Sequence, residues 1–214
     1  MGQGTSNSVE HDAERGSGID TLTDWVRLRA RGVLDPTARF LSRLGIRPDT
    51  VTVVGFLLQL AVGGVFFLGR IRLGGWLLSI VAPLDALDGA VARAIDQDGP
   101  FGAFLDSTLD RVSDAALILG LVAHHLQQGA LLEVTLLLVA LVAAFMVSYT
   151  RARAESLGVS CKVGVVTRLE RIVLIAGLSA LGLSTLLAWL IAILSVITFL
   201  QRVVHVYLTC SRPE

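Results

Sequence analysis

Seven aspartates lie between positions 83 and 114: Asp85, Asp88, Asp96, Asp98, Asp106, Asp110 and Asp114. Asp85 and Asp88 are three residues apart and Asp106 and Asp110 are four apart, spacings that put each pair on one face of a helix. Between the pairs, Gly99-Pro100 permits a tight reversal, so two antiparallel helices would aim four carboxylates at one point. Four such anions cannot all stay ionised side by side without cations. Carboxylate oxygens are hard ligands that suit Mg2+, Mn2+ or Ca2+ rather than zinc. Four shared carboxylates suit two ions, an arrangement that stabilises phosphoryl displacement. Asp96 and Asp98 read instead as solvated loop residues, and Asp114 as a partner for Arg111. Carboxylates at depth would equally serve a divalent-cation carrier, so acid count alone leaves catalyst and carrier both open.

The elements that must position these acids are set by composition. The chain of 214 residues is 53% hydrophobic and 17% charged, whereas soluble domains carry about a quarter charged residues. Its 18 basic and 18 acidic residues cancel, which excludes a nucleic-acid binder working through a global basic field. Cys161 and Cys210 are too few for a disulfide framework or a cysteine zinc site. A membrane-crossing helix needs about 20 mostly apolar residues. Residues 51–69, 74–93, 102–126 and 130–149 each provide one, and residues 172–200, with no ionisable side chain, provide two. The Gly182-Leu183-Ser184-Thr185 stretch is the expected turn between the last two, and Gln59 is the only strongly polar residue of the first.

The expected fold is therefore an all-α integral membrane protein of six transmembrane helices, occupying residues 47–210. Residues 1–18 are polar and lack an apolar core, so they read as a disordered tail rather than a signal peptide. Met1-Gly2-Gln3-Gly4-Thr5-Ser6 fits the myristoylation pattern, which is short enough to arise by chance. Residues 19–46 interleave Arg27, Arg29, Arg31, Arg39 and Arg43 with Trp25, Phe40 and leucines, the mark of an amphipathic helix lying in the membrane interface. Arginine and lysine gather beside the span ends that share a side with the N-terminus, and only Arg70 and Arg72 fall opposite. The positive-inside rule then gives a multi-pass protein of the cytoplasmic (inner) membrane with both termini, and the acidic site, facing the cytoplasm. His124 and His125 fall at the outer end of the third span, and Trp25, Trp76 and Trp189 read as interface anchors.

Written out, the acidic segment runs Asp85, Asp88, Gly89, Ala92, Arg93, Gly102, Asp106, Asp110. At this spacing it resembles the signature of the CDP-alcohol phosphotransferase (CDP-alcohol phosphatidyltransferase) family at every position. The resemblance implies an enzyme that moves a phosphatidyl group from a CDP-linked lipid such as CDP-diacylglycerol to an alcohol, with release of CMP. It also implies that Asp85, Asp88, Asp106 and Asp110 hold two divalent cations, Mg2+ or Mn2+, and that Asp110 is the general base. Gly89, Ala92 and Gly102 would let the nucleotide approach the backbone, and Arg93 would pair with a phosphate oxygen. Pro48-Asp49-Thr50-Val51-Thr52 resembles the Pro-Asn-x-x-Thr that opens the first span in many members, with Asp49 in place of Asn. Asp49 and Thr52 would thereby join the CDP-lipid site. A homodimer is the family expectation.

The acceptor is read from arginines. Ser148-Tyr149-Thr150-Arg151-Ala152-Arg153-Ala154-Glu155 ends the fourth span, Arg168-Leu169-Glu170-Arg171 opens the fifth, and Arg202 lies near the end of the sixth. Such a cluster suits a dianionic acceptor better than zwitterionic serine or choline. The pattern resembles the prokaryotic phosphatidylinositol-phosphate synthase branch of the family, with Arg151 where that branch has Lys and Leu169 where it often has Pro. That resemblance implies inositol 1-phosphate as acceptor and Arg151, Arg153, Arg171 and Arg202 as ligands of its phosphate. Glycerol 3-phosphate is the same-class alternative. For Arg168, a pocket role and simple positive-inside topology stand level.

Overall fold

The computed structural model describes residues 48–83 and 99–211. Among these, all regular structure is helical: α1 (Pro48–Phe67), α2 (Ile71–Val81), α3 (Pro100–Gln127), α4 (Leu131–Ser156), α5 (Arg168–Leu181) and α6 (Ser184–Cys210). The expected interfacial helix of residues 19–46 and the residues Asp85, Asp88, Gly89, Ala92 and Arg93 lie outside the described residues. So does the second half of the expected span 74–93.

Local chemistry sets the helix ends. Pro100 opens α3, where its missing N–H would have no partner in any case. Glu170 accepts a hydrogen bond from the Thr167 N–H at 2.8 Å, which ties the first turn of α5 back on itself. Gly182, with φ of 77°, closes α5 in the left-handed conformation and lets α6 begin two residues later. The expected turn thus falls where the glycine permits it. In contrast, α4 runs seven residues past the expected span end at Tyr149, to Ser156. Charged residues end a hydrophobic stretch without ending a helix, so Arg151 and Arg153 remain helical.

The helices pack α1 on α3, α4 on α6 and α2 on α5, with α3 bridging to α4. Their shared core contains Val62, Phe66, Leu78, Leu117, Ile118, Leu137, Ile175, Leu187 and Ile191. Small residues let α1 and α3 touch backbone to backbone. A β-carbon at Gly63 would come 2.7 Å from the Ala116 carbonyl oxygen, and one at Gly120 would overlap the Gly63 carbonyl.

The outward faces carry Leu57, Trp76, Ile80, Leu131, Val142, Val173 and Leu200, all well exposed. An apolar surface this extensive is unfavourable in water and is solvated by lipid. Among the described residues three helices, α1, α4 and α6, are long and apolar enough to cross a membrane, and the chain is a helical membrane protein. The 28-residue α3 carries Asp106, Asp110, Arg111 and Asp114 toward its N-terminal side, while α2 and α5 span 11 and 14 residues.

Candidate active site

The site is built on one stripe of α3. Asp106, Asp110 and Asp114 recur every four residues, so the three carboxylates stack along one helix face. Opposite them stands the first turn of α5, where Arg168 and Arg171 are three apart and share a face. Arg168 Nη2 lies 3.0 Å from Asp110 Oδ1, and its Nε lies 3.7 Å from Asp114 Oδ1. Arg171 Nη2 donates to Asp114 Oδ2. Arg111 reaches Asp110 Oδ2 at 3.8 Å and donates to the Ser107 carbonyl on its own helix. The expected Asp114–Arg111 pairing is therefore replaced by Asp114–Arg171. Both Asp114 and Arg171 are buried, and a buried charge needs a buried partner, which a solvent-edge arginine does not provide.

A cavity of about 220 Å³ opens beside this stripe, near the lower end of small-ligand sites at roughly 300 Å³. Arg111, Arg151, Arg168, Arg171 and Arg202 line it together with Asp110, Asp114, Ser148 and Thr167. Among the described residues, five guanidinium groups against two carboxylates give it a lining whose charge suits an anion. Arg171 is 1% exposed, and its Nε and Nη1 are buried without a hydrogen-bond partner among the described residues. Leaving such donors unmade is costly.

The structure gathers some of the expected site residues and separates others. Asp106 and Asp110 share the α3 stripe, and Arg151, Arg171 and Arg202 line the cavity. Arg151 is exposed and holds Glu155 at 2.8 Å. Arg153, two residues along the same helix, is exposed, contacts Ser156 and is not among the lining residues. Arg202 is 3% exposed, and it donates from Nε to the Val163 carbonyl at 2.9 Å and from Nη1 to the Val147 carbonyl. At the start of α1, Asp49 meets the start of α3: its Oδ1 would stand 3.3 Å from a β-carbon at Gly102. Thr52 Oγ1 donates to the Pro48 carbonyl at 3.2 Å.

Two participants stand beyond the expected set of site residues. Arg168 contacts both Asp110 and Asp114. Gln59, fully buried in α1, accepts from Arg168 Nη2 at 3.4 Å. Its signal was present as the one strongly polar residue in an apolar helix, which needs a partner at depth.

For a metal, the described residues supply two hard carboxylates, Asp106 and Asp110, one helical turn apart and partly exposed. Among the described residues no group of three or more metal-ligating side chains assembles. The oxygen-only donor chemistry fits a hard divalent cation.

The sequence model of the CDP-alcohol phosphatidyltransferase family matches residues 46–201. The archaetidylinositol phosphate synthase of Pyrococcus horikoshii is 40% identical over 179 residues, covering 83% of this chain and 93% of that one. The phosphatidylinositol phosphate synthase of Streptomyces avermitilis is 37% identical over 202 residues, covering 86% and 82% respectively. Among solved structures, the Mycobacterium tuberculosis phosphatidylinositol phosphate synthase with CDP-DAG bound superposes with a TM-score of 0.77 at 32% identity, over 82% of this chain and 94% of that one. The same enzyme in complex with manganese and citrate gives 0.75 at 32% identity, over 81% and 88%. The aspartate spacing, the helical membrane fold and these matches over most of the chain agree, and the chain belongs to the CDP-alcohol phosphatidyltransferase family.

Proposed function

We propose that the protein transfers a phosphatidyl group from CDP-diacylglycerol to inositol 1-phosphate, giving phosphatidylinositol phosphate and CMP. The observation that carries this reading is the junction of two unlike surfaces. The Asp110 carboxylate borders a cavity walled by Arg111, Arg151, Arg168, Arg171 and Arg202. A phosphorylated acceptor presents a dianion to those arginines and a hydroxyl to Asp110. Serine, choline and ethanolamine offer no phosphate to match them.

In this reading Arg151, Arg171 and Arg202, with Arg168, bind the acceptor phosphate, while Arg153 lies on the same helix outside the cavity lining. The acceptor hydroxyl oxygen attacks the phosphorus of the phosphatidyl group. Asp110 takes the hydroxyl proton on a carboxylate oxygen. The phosphorus–oxygen bond to CMP breaks, and CMP leaves with the electron pair. Asp85, Asp88, Asp106 and Asp110 would hold two divalent cations, Mg2+ or Mn2+, whose charge would neutralise the diphosphate and favour CMP as a leaving group. Asp49, Thr52, Gly89, Ala92 and Gly102 lie against the CDP-lipid, and Arg93 pairs with its phosphate. The placement of Asp49 against Gly102 supports a common site for these two.

The same reading gives a homodimer of six-span subunits with residues 19–46 in the interface, both termini cytoplasmic, and the site opening to the cytoplasm. The distribution of arginines along the chain supports this arrangement.

A panel of acceptors tests the proposal. Purified protein is supplied with CDP-diacylglycerol and Mn2+, and CMP release is scored with inositol 1-phosphate, glycerol 3-phosphate, inositol and serine. Inositol 1-phosphate should give the fastest release. Faster release with glycerol 3-phosphate would make the protein a phosphatidylglycerophosphate synthase. No CMP release with any acceptor, together with Mn2+ uptake into liposomes, would make it a cation carrier.

A further inference from the structure

The loop between α4 and α5, residues 157–167, forms one wall of the cavity through Thr167 and delivers Arg168 and Arg171 to it. This loop has a dedicated support on α6. Val166 N donates to Thr198 Oγ1 at 3.0 Å and Val165 N to Gln201 Oε1 at 3.2 Å. Arg202 Nε donates to the Val163 carbonyl at 2.9 Å, and His205 Nε2 pairs with the Ser160 carbonyl at 3.1 Å. Thr198, Gln201, Arg202 and His205 stand at i, i+3, i+4 and i+7, a single face of α6. The loop therefore runs antiparallel to the helix, with side chains in place of the backbone partners that a strand would offer.

Two further features make the fit specific. Gly164 has φ of 139° and packs onto Thr198, where a β-carbon would press on the threonine methyl. Cys161 and Val166 turn inward and are buried, which seats the loop at both ends of the contact. Arg202 Nη1 also takes the Val147 carbonyl of α4, so one guanidinium joins α4, the loop and α6.

We propose that Thr198 and Gln201 are positioning residues that hold this loop as a rigid wall, and that through it they set affinity for the acceptor while leaving the CDP-lipid side untouched. This rests on the reading of the arginine cavity as the acceptor site. Neither residue lines the cavity, so their effect passes through the loop. Thr198 is fully buried and accepts a buried N–H. Its replacement by the isosteric Val leaves that donor unmade, a loss equivalent to about tenfold in a binding constant.

The test uses Thr198→Val, Thr198→Ser, Gln201→Leu and Gln201→Glu in the full chain, with two readouts. Thr198→Val should raise KM for inositol 1-phosphate about tenfold with KM for CDP-diacylglycerol changed by less than about twofold, and Gln201→Leu should do the same to a smaller degree. Thr198→Ser and Gln201→Glu keep the accepting oxygen and should stay near the parent protein. Amide hydrogen exchange over residues 160–167 should accelerate in the Val and Leu variants only. Unchanged exchange in that loop, or equal rises in both KM values, would overturn the proposal. Gln201 is exposed, so Gln201→Leu decides the matter should Thr198→Val fail to fold. Failure of the parent protein to use inositol 1-phosphate would sink the acceptor reading, while the exchange result would still judge the clamp.

Discussion

The two halves of α3 solve opposite problems. From Gly102 to Asp114 the helix carries three carboxylates on one stripe, tolerates partial exposure, and faces arginines across a cavity. From Ala116 to Ala123 it is apolar or small, lies against α1 at backbone distance, and contributes Leu117, Ile118 and Leu121 to the core. Both halves keep a helical repeat. In the first, the repeat concentrates like charge that only external cations and opposing arginines make tolerable. In the second, it concentrates small residues that turn a helix surface into a close contact. The first half is organised for ligands at the expense of packing, and the second holds the frame that keeps those ligands' partners in register.

Substitutions can break this division, and the largest effect belongs to the acidic half. Asp110→Asn removes the proposed base and should lower CMP release by about 10³-fold while the melting temperature in detergent changes little; intact turnover would remove Asp110 from the chemistry. Next comes Asp114, where the two halves meet. Asp114→Ala strands Arg171 as a buried unpaired cation and should cost about 3 kcal/mol of stability, seen as a lower melting temperature. Adding Arg171→Met should recover much of that loss without recovering acceptor use. If Asp114→Ala alone melts like the parent protein, the buried pair is not structural.

In the packing half, Gly120→Ala forces α1 and α3 apart and should destabilise by roughly 1–3 kcal/mol. CMP release per folded molecule should stay near normal. A selective loss of turnover instead would mean that the two halves are not separable. The smallest effect sharpens the cavity itself. Arg151→Ala should raise KM for inositol 1-phosphate several-fold, whereas Arg153→Ala on the far side of the same helix should change it by less than about twofold, at low salt where such exposed charges act. Equal effects would show that bulk positive charge, rather than the cavity, attracts the acceptor.

What was legible in the sequence follows the range of each interaction. The stacking of Asp106 on Asp110 and the Gly182 turn are set by residues at most four apart, and spacing alone exposes them. The Asp114–Arg171 pair joins residues 57 apart, and the contact of Gln59 with Arg168 joins residues 109 apart. No local pattern encodes such meetings, so Asp114 was assigned to its neighbour Arg111. Arg151 and Arg153 looked equivalent for a related reason. Both are basic and both end the same apolar run, yet two residues along a helix turn a side chain through about 200°. The clamp on residues 157–167 was hidden because the backbone of Ser160, Val163, Val165 and Val166, rather than their side chains, makes the contacts.

The central claim is that the carboxylate stripe and the arginine cavity are two parts of one phosphatidyl-transfer site. Mass spectrometry of the lipids formed from CDP-diacylglycerol and inositol 1-phosphate, with CMP measured in parallel, tests it most directly. The parent protein should yield one phosphatidylinositol phosphate for each CMP, Asp110→Asn should yield neither, and Arg171→Gln should need far more acceptor to yield both. CMP release that is indifferent to the acceptor, or an unchanged lipid product from Asp110→Asn, would contradict the account.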